Sequence, residues 1–224
     1  MDLVLCGERT CRLSVRWNSS RIANRSGKIR ILLQWKSQPG VKIEDMQQDL
    51  KHTLSLLERT PATLNAWLRD LPDAWTRENE GENTWSAYDV VGHLIHGERT
   101  DWMARAKRIL EFGETRPFEP FDRLAQNRKS QSKTLPELLD EFTRLRAKNL
   151  DELRVLSLRP EDMERRGQHP ALGTVTLAEL LATWAAHDLT HLHQISRIMA
   201  HQYRQAVGPW SKFLGVLQCA GHSS

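Results

Sequence analysis

A chain of 224 residues is long enough to bury one sizeable core and still carry an appendage. Its formal net charge of +4 sits at one end, since residues 1–45 hold nine Lys/Arg against four Asp/Glu and residues 46–224 hold 23 against 24, so the body lacks the basic surface that nucleic acid binding needs. No run approaches the roughly 18 apolar residues of a membrane span, and Cys6, Cys11 and Cys219 give neither a disulfide framework nor paired metal-ligand spacing, so a reducing, cytoplasmic setting is expected.

Residues 1–44 show no sustained periodicity and contain the breaker-rich stretches NSSRIANRSGK and SQPG, which reads as a disordered extension or as upstream sequence read in frame ahead of Met46. The bundle domain is expected over residues 45–220. Ile43, Met46, Leu50, Leu54 and Leu57 recur at helical spacing, giving a first helix interrupted or kinked before Pro61, with Thr60 as cap of a continuation carrying Leu64, Trp67, Leu68 and Leu71. After the polar loop TRENEGENT, Ser86 with Asp89 three residues on opens a second helix that runs to about Phe112, where Gly113 stops it.

Residues 113–133 form a long connection, expected to cross the outside of the bundle as a lid or binding loop. Thr134 and Glu137 have capping-box spacing ahead of a third helix through Leu138, Phe142, Leu145, Leu150 and Leu153, and Thr176 with Glu179 repeats the box ahead of a fourth, roughly 177–203. Gly208-Pro209 breaks the chain before a short helical end carrying Trp210, Phe213, Leu214 and Leu217. Four long amphipathic helices with no credible strand run predict an all-α fold, an antiparallel up-and-down four-helix bundle with a short C-terminal helix.

The segment AAHDLTHLHQI places His187, Asp188, His191, His193 and Gln194 in the fourth helix. At 100° per residue, Leu180, Trp184, His187, His191, Ile195 and Ile198 fall within an arc about 80° wide. The i, i+4 pair His187/His191 therefore lies in the core-facing stripe with one ring above the other, a metal-chelating geometry. Two buried rings without partners would cost several kcal/mol as an order of magnitude. His193 points elsewhere, and His52, His169, His201 and His222 form no constellation.

A third ligand has to come from a facing helix, and WSAYDVVGHLIHGE offers His93, His96 and Glu98. Val90, Val91, Leu94 and Ile95 define the apolar face of that helix. His93 lies just past its edge, His96 further round, and Glu98 inside it, either as a polar group of the cavity or in a salt bridge to an arginine.

The order and spacing of WSAYDVVGHLIHGE, LLDEFTRLRAKNLDEL, AAHDLTHLHQI and YRQAVGPW resemble the DinB-like family of metal-binding four-helix bundles, first known from bacterial genes, over about residues 46–217. The resemblance implies a three-histidine site of His93, His187 and His191 that binds a divalent ion, zinc or nickel, and leaves positions open. It also implies a homodimer, and an activity known in several branches: transfer of a low-molecular-weight thiol such as bacillithiol, mycothiol or glutathione to a small electrophile. A bound ion would favour thiolate over thiol. The bundle contains no cysteine of its own, so the thiol would be a cosubstrate, with Arg99 and Arg197 as partners for its carboxylates. Two other readings stay open. One is hydrolysis by a metal-activated water, with Glu98 or Asp188 taking its proton. The other is a non-enzymatic metal- or ligand-binding stress protein.

Overall fold

The computed structural model describes residues 22–23, 29–30, 43–120 and 132–219. The chain divides into a unit at Met1–Gly40 and a unit at Val41–Ser224. In the first, Ile22–Ala23 (β1) pairs antiparallel with Ile29–Arg30 (β2). The remaining expectations for residues 1–42, Cys6 and Cys11 among them, lie outside the described residues, as does His222.

The second unit is a four-helix bundle. Its long helices are α1 (Ile43–Leu68), α3 (Ala87–Thr100) continued by α4 (Trp102–Phe112), α5 (Leu135–Val155) and α7 (Leu177–Gln202), with the single-turn helices α2 (Asp73–Thr76) and α6 (Pro160–Met163) in the connections. Three of the long helices start on the capping boxes read from the sequence. The Ser86, Thr134 and Thr176 side chains accept from the backbone N–H of Asp89, Glu137 and Glu179, whose carboxylates accept the cap N–H in return. Helix α1 packs against α5 and α7, and α3 with α4 packs against the same two. Consecutive long helices α1 and α3 thus stand across the bundle from each other, a placement that the long connection through α2 can span.

The apolar core falls into two clusters. One gathers Leu64, Leu68, Val90, Val91, Leu94, Ile95, Leu138, Leu139, Phe142, Ile195 and Ile198. The other gathers Leu57, Trp102, Met103, Ile109, Phe118, Leu150, Leu153, Leu177, Leu181 and Trp184. Along α3, α5 and α7 the buried polar residues His93, Glu98, Arg146, Asn149, Asp188, His191 and Gln194 lie around the junction of the two.

Four local expectations are corrected. Helix α1 does not stop before Pro61 but runs through it, and the Thr60 hydroxyl donates back to the Leu56 carbonyl at 3.3 Å instead of capping a new helix. The second helix is bent: it breaks at Asp101 (φ −111°, ψ −76°), just after Thr100 bonds back to the His96 carbonyl at 2.8 Å, a contact that bends helices. Gly97 makes room there, since a Cβ would meet Trp102 Nε1 at 3.2 Å.

A strand pair is also present. Arg166–His169 (β3) and Gly173–Thr176 (β4) form an antiparallel hairpin with Gly167 opposite Val175, too short for alternation to reveal in the sequence. The hairpin rests on α4 so closely that a Cβ at Gly167 would lie 2.6 Å from Ile109 Cγ1. Phe118, from the connection expected to cross outside, is buried in the core and its N–H bonds the Gln168 carbonyl at 2.9 Å, while residues 121–131 of that connection lie outside the described residues. The expected short helical end is present as two 3-10 helices, Gly208–Phe213 and Gly215–Leu217, with Trp210 and Phe213 exposed.

Candidate metal centre

Helix α7 brings His187 and His191 one turn apart, and α3 brings His93 to face them. His187 Nε2 lies 3.0 Å from His93 Nε2 and 3.0 Å from His191 Nε2, and one ring nitrogen from each of the three falls within a span of 4.8 Å. His93 and His191 are buried and His187 is half-buried. Indoles flank the group: the Trp85 ring is 4.8 Å from that of His93 and 6.2 Å from that of His191, and Trp102 meets His187 edge-on at 5.0 Å. Trp102 in turn stacks on the fully buried Trp184.

The electrostatics favour the neutral form of the two α7 rings. Burial pushes the His187 imidazole down to about 2, helped by the neighbouring His191 and His93 and by Arg146. Burial also lowers His191, against opposing contributions from Gln194 and Asp188. Gln194 Oε1 accepts from His191 Nδ1 at 2.8 Å, leaving the lone pair of that ring on Nε2. His187 Nδ1 is buried with no hydrogen-bond partner.

A single proton on His187 Nε2 serves one of its two 3.0 Å neighbours, whereas a cation serves all three nitrogens. Three imidazole nitrogens each about 2.0–2.1 Å from one ion stand about 3.0–3.4 Å apart, and the two 3.0 Å separations about His187 match that spacing. All donors are imidazoles, which suit zinc and nickel among others.

Below this group lies a second buried polar cluster centred on Arg146 of α5, which is 1% exposed. Its Nε donates to Glu98 Oε1 at 3.0 Å. Nη2 donates to Glu98 Oε1 at 2.8 Å and Asp188 Oδ1 at 2.9 Å, and Nη1 to Asp188 Oδ2 at 2.6 Å and the Leu57 carbonyl at 2.9 Å. All five N–H groups of the guanidinium are thereby used. The Leu57 carbonyl is free to accept because Pro61, four residues on, has no N–H to offer it. Glu98 Oε1 also accepts from Trp184 Nε1 at 3.0 Å, and Oε2 from Asn149 Nδ2 at 2.9 Å. Burial pulls the guanidinium down, but Asp188 and Glu98 outweigh it and hold the group firmly charged.

The structure therefore brings His93, His187 and His191 together, and sets Glu98 and Asp188 on Arg146. His96 is buried as well, not turned away as the helical wheel implied, yet it stands outside the three-histidine group. Arg99 pairs with Glu141, and Arg197 is buried on Glu80 with bonds of 2.6–2.9 Å. Sequence reasoning passed over Arg146, Asn149 and Gln194. The signal for the first two was their spacing: they share the stripe Phe142, Arg146, Asn149, Leu150, Leu153, which is otherwise apolar and buried.

Comparisons with known proteins place the chain in a family and support its fold. The family model of the DinB superfamily matches residues 56–195. The chain belongs to that superfamily. Among solved structures it is similar to YfiT from Bacillus subtilis, described as "a probable metal-dependent hydrolase with an unusual four-helix bundle topology", at 22% identity over 77% of this chain and 94% of that one, with a TM-score of 0.59. That likeness shows the four-helix bundle. No curated protein matches the chain. Among the described residues no helix is long and apolar enough to cross a membrane.

Proposed function

We propose that His93, His187 and His191 hold one divalent ion, zinc or nickel, and that the protein transfers the sulfur of a small thiol to an electrophile. The observation that carries the choice of reaction is the engagement of both nearby carboxylates. Glu98 and Asp188 are bound to Arg146, so neither is placed to take a proton from an attacking water. A thiol needs no such base once its proton has left to solvent. A divalent ion in the site supplies stabilisation of thiolate over thiol at neutral pH.

The chain's own residues do the rest. The His187 and His191 imidazoles stay neutral and offer lone pairs, and Trp85 and Trp102 flank the site with apolar rings that narrow the access of water. A sulfur–carbon bond forms as the leaving group departs with its electron pair. The cosubstrate is bacillithiol, mycothiol or glutathione, in a cytoplasmic setting that keeps it reduced, and the working assembly is a homodimer.

The description of YfiT as a probable hydrolase motivates the competing reading, hydrolysis of an ester or amide. Elemental analysis of protein purified without a histidine tag, followed by assays with each thiol plus a generic electrophile and with an ester and amide panel, separates the two. Metal with thiol consumption supports transfer, and hydrolysis without thiol overturns it. Wild type that neither carries nor takes up metal defeats the site itself.

A further inference from the structure

His191 and His187 share a helix and a stripe, but their outward nitrogens differ. His191 Nδ1 meets Gln194 Oε1 at 2.8 Å, whereas His187 Nδ1 has no hydrogen-bond partner. Gln194 is 3% exposed and sits three residues beyond His191, beside the fully buried Ile195. An amide oxygen can only accept, so the proton of the His191 ring must lie on Nδ1 and its lone pair on Nε2, the atom that faces His187.

We infer that Gln194 is a positioning residue that presets His191 as a ligand, fixing its tautomer and ring orientation before an ion arrives. The inference rests on the metal reading above. It divides the two α7 histidines into one that is preset and one whose tautomer the ion itself selects. Partners of this kind orient metal-bound imidazoles, and their loss weakens metal affinity about 10- to 100-fold. A glutamine that merely filled space in the core would change stability without changing which nitrogen of His191 carries the proton.

The test uses the full chain, stripped of metal and labelled with 15N in its histidines, with Zn²⁺ alone as the probe. Wild type is expected to show His191 as the Nδ1–H tautomer. Gln194→Leu should lose that preference and bind Zn²⁺ about 10- to 100-fold more weakly in competition with a chromophoric chelator. Gln194→Glu keeps an acceptor oxygen and should keep both the tautomer and an affinity within a few-fold of wild type.

His191 found as the Nε2–H tautomer in wild type, or unchanged tautomer and affinity in Gln194→Leu, overturns the inference. Should Gln194→Leu fail to fold, the wild-type tautomer and the Gln194→Glu variant decide it. Wild type that binds no Zn²⁺ sinks the metal reading, while the tautomer is still read in the metal-free protein.

Discussion

Two buried polar clusters share the middle of this bundle, and they are opposites. Around Arg146 five N–H groups meet two carboxylates and one backbone carbonyl, and no donor of the guanidinium is left over. Around His187 three ring nitrogens crowd together at 3.0 Å contacts that one proton cannot satisfy. A buried polar network that is complete belongs to the fold, and one that lacks a positive charge at its centre is a place for a ligand. His187 and Asp188 are neighbours in the chain, yet the first belongs to one cluster and the second to the other.

The sharpest way to break this contrast is to remove the centre of the complete cluster. Arg146→Met leaves Glu98 and Asp188 buried without their cation, and should lower stability by about 3–5 kcal/mol in urea denaturation. Slightly smaller is the effect of removing the indole that links the clusters: Trp184→Ala should cost on the order of 3 kcal/mol if the site cannot collapse. Wild-type stability after either change would mean the lower cluster does not hold the bundle together.

Metal sharpens the comparison from the other side. At 100 times its Kd, Zn²⁺ or Ni²⁺ should stabilise wild type by about 2.7 kcal/mol and raise its melting temperature. His93→Ala, His187→Ala and His191→Ala should each abolish that gain and His96→Ala should keep it. An equal gain in all four variants would place the ion elsewhere.

Acid tests the histidine cluster against the exposed capping carboxylates. The folded-state His187 lies at about 2 against 6.5 for the free side chain, and His191 is lowered too, so both are neutral in the native metal-free protein and take up protons on unfolding. Stability from these rings is complete above about pH 6.5 and is lost progressively as pH falls below it. The lowered carboxylates Glu137 and Asp162 lose theirs only below their ordinary values of 4.5 and 3.8. Metal-free wild type should therefore begin to weaken between pH 6.5 and 5, and His187→Leu should flatten that part of the profile.

The smallest expected change is none. Residues 46–224 expressed alone should keep the fold and the metal, and an insoluble or metal-free truncation would show that the basic extension belongs with the bundle.

The histidine cluster was legible because metal-ligand spacing follows helical periodicity: His187 and His191 stand on a stripe, and the resemblance selected His93 over His96. The Arg146 cluster was not, because periodicity assigns a charged residue to solvent unless its partners are known, and those partners lie 42 and 48 positions away in the chain. Pro61 reads locally as the end of a helix. What keeps α1 continuous around it is a guanidinium from another helix, which accepts the role of the missing N–H for the Leu57 carbonyl. The β3–β4 hairpin escaped because four-residue strands carry too little alternation, although Gly167 marked the close approach that seats it.

The single guanidinium of Arg146 touches α1 through Leu57, α3 through Glu98 and α7 through Asp188, while standing on α5 itself. No long helix can leave the bundle without taking a hydrogen-bond partner from that buried cluster. The two apolar clusters on either side are for that reason expected to unfold as a single cooperative unit. In native-state hydrogen exchange the core amides of all four helices would share one ceiling of protection, set by complete unfolding. Neutralising that one side chain would let the ceiling split in two.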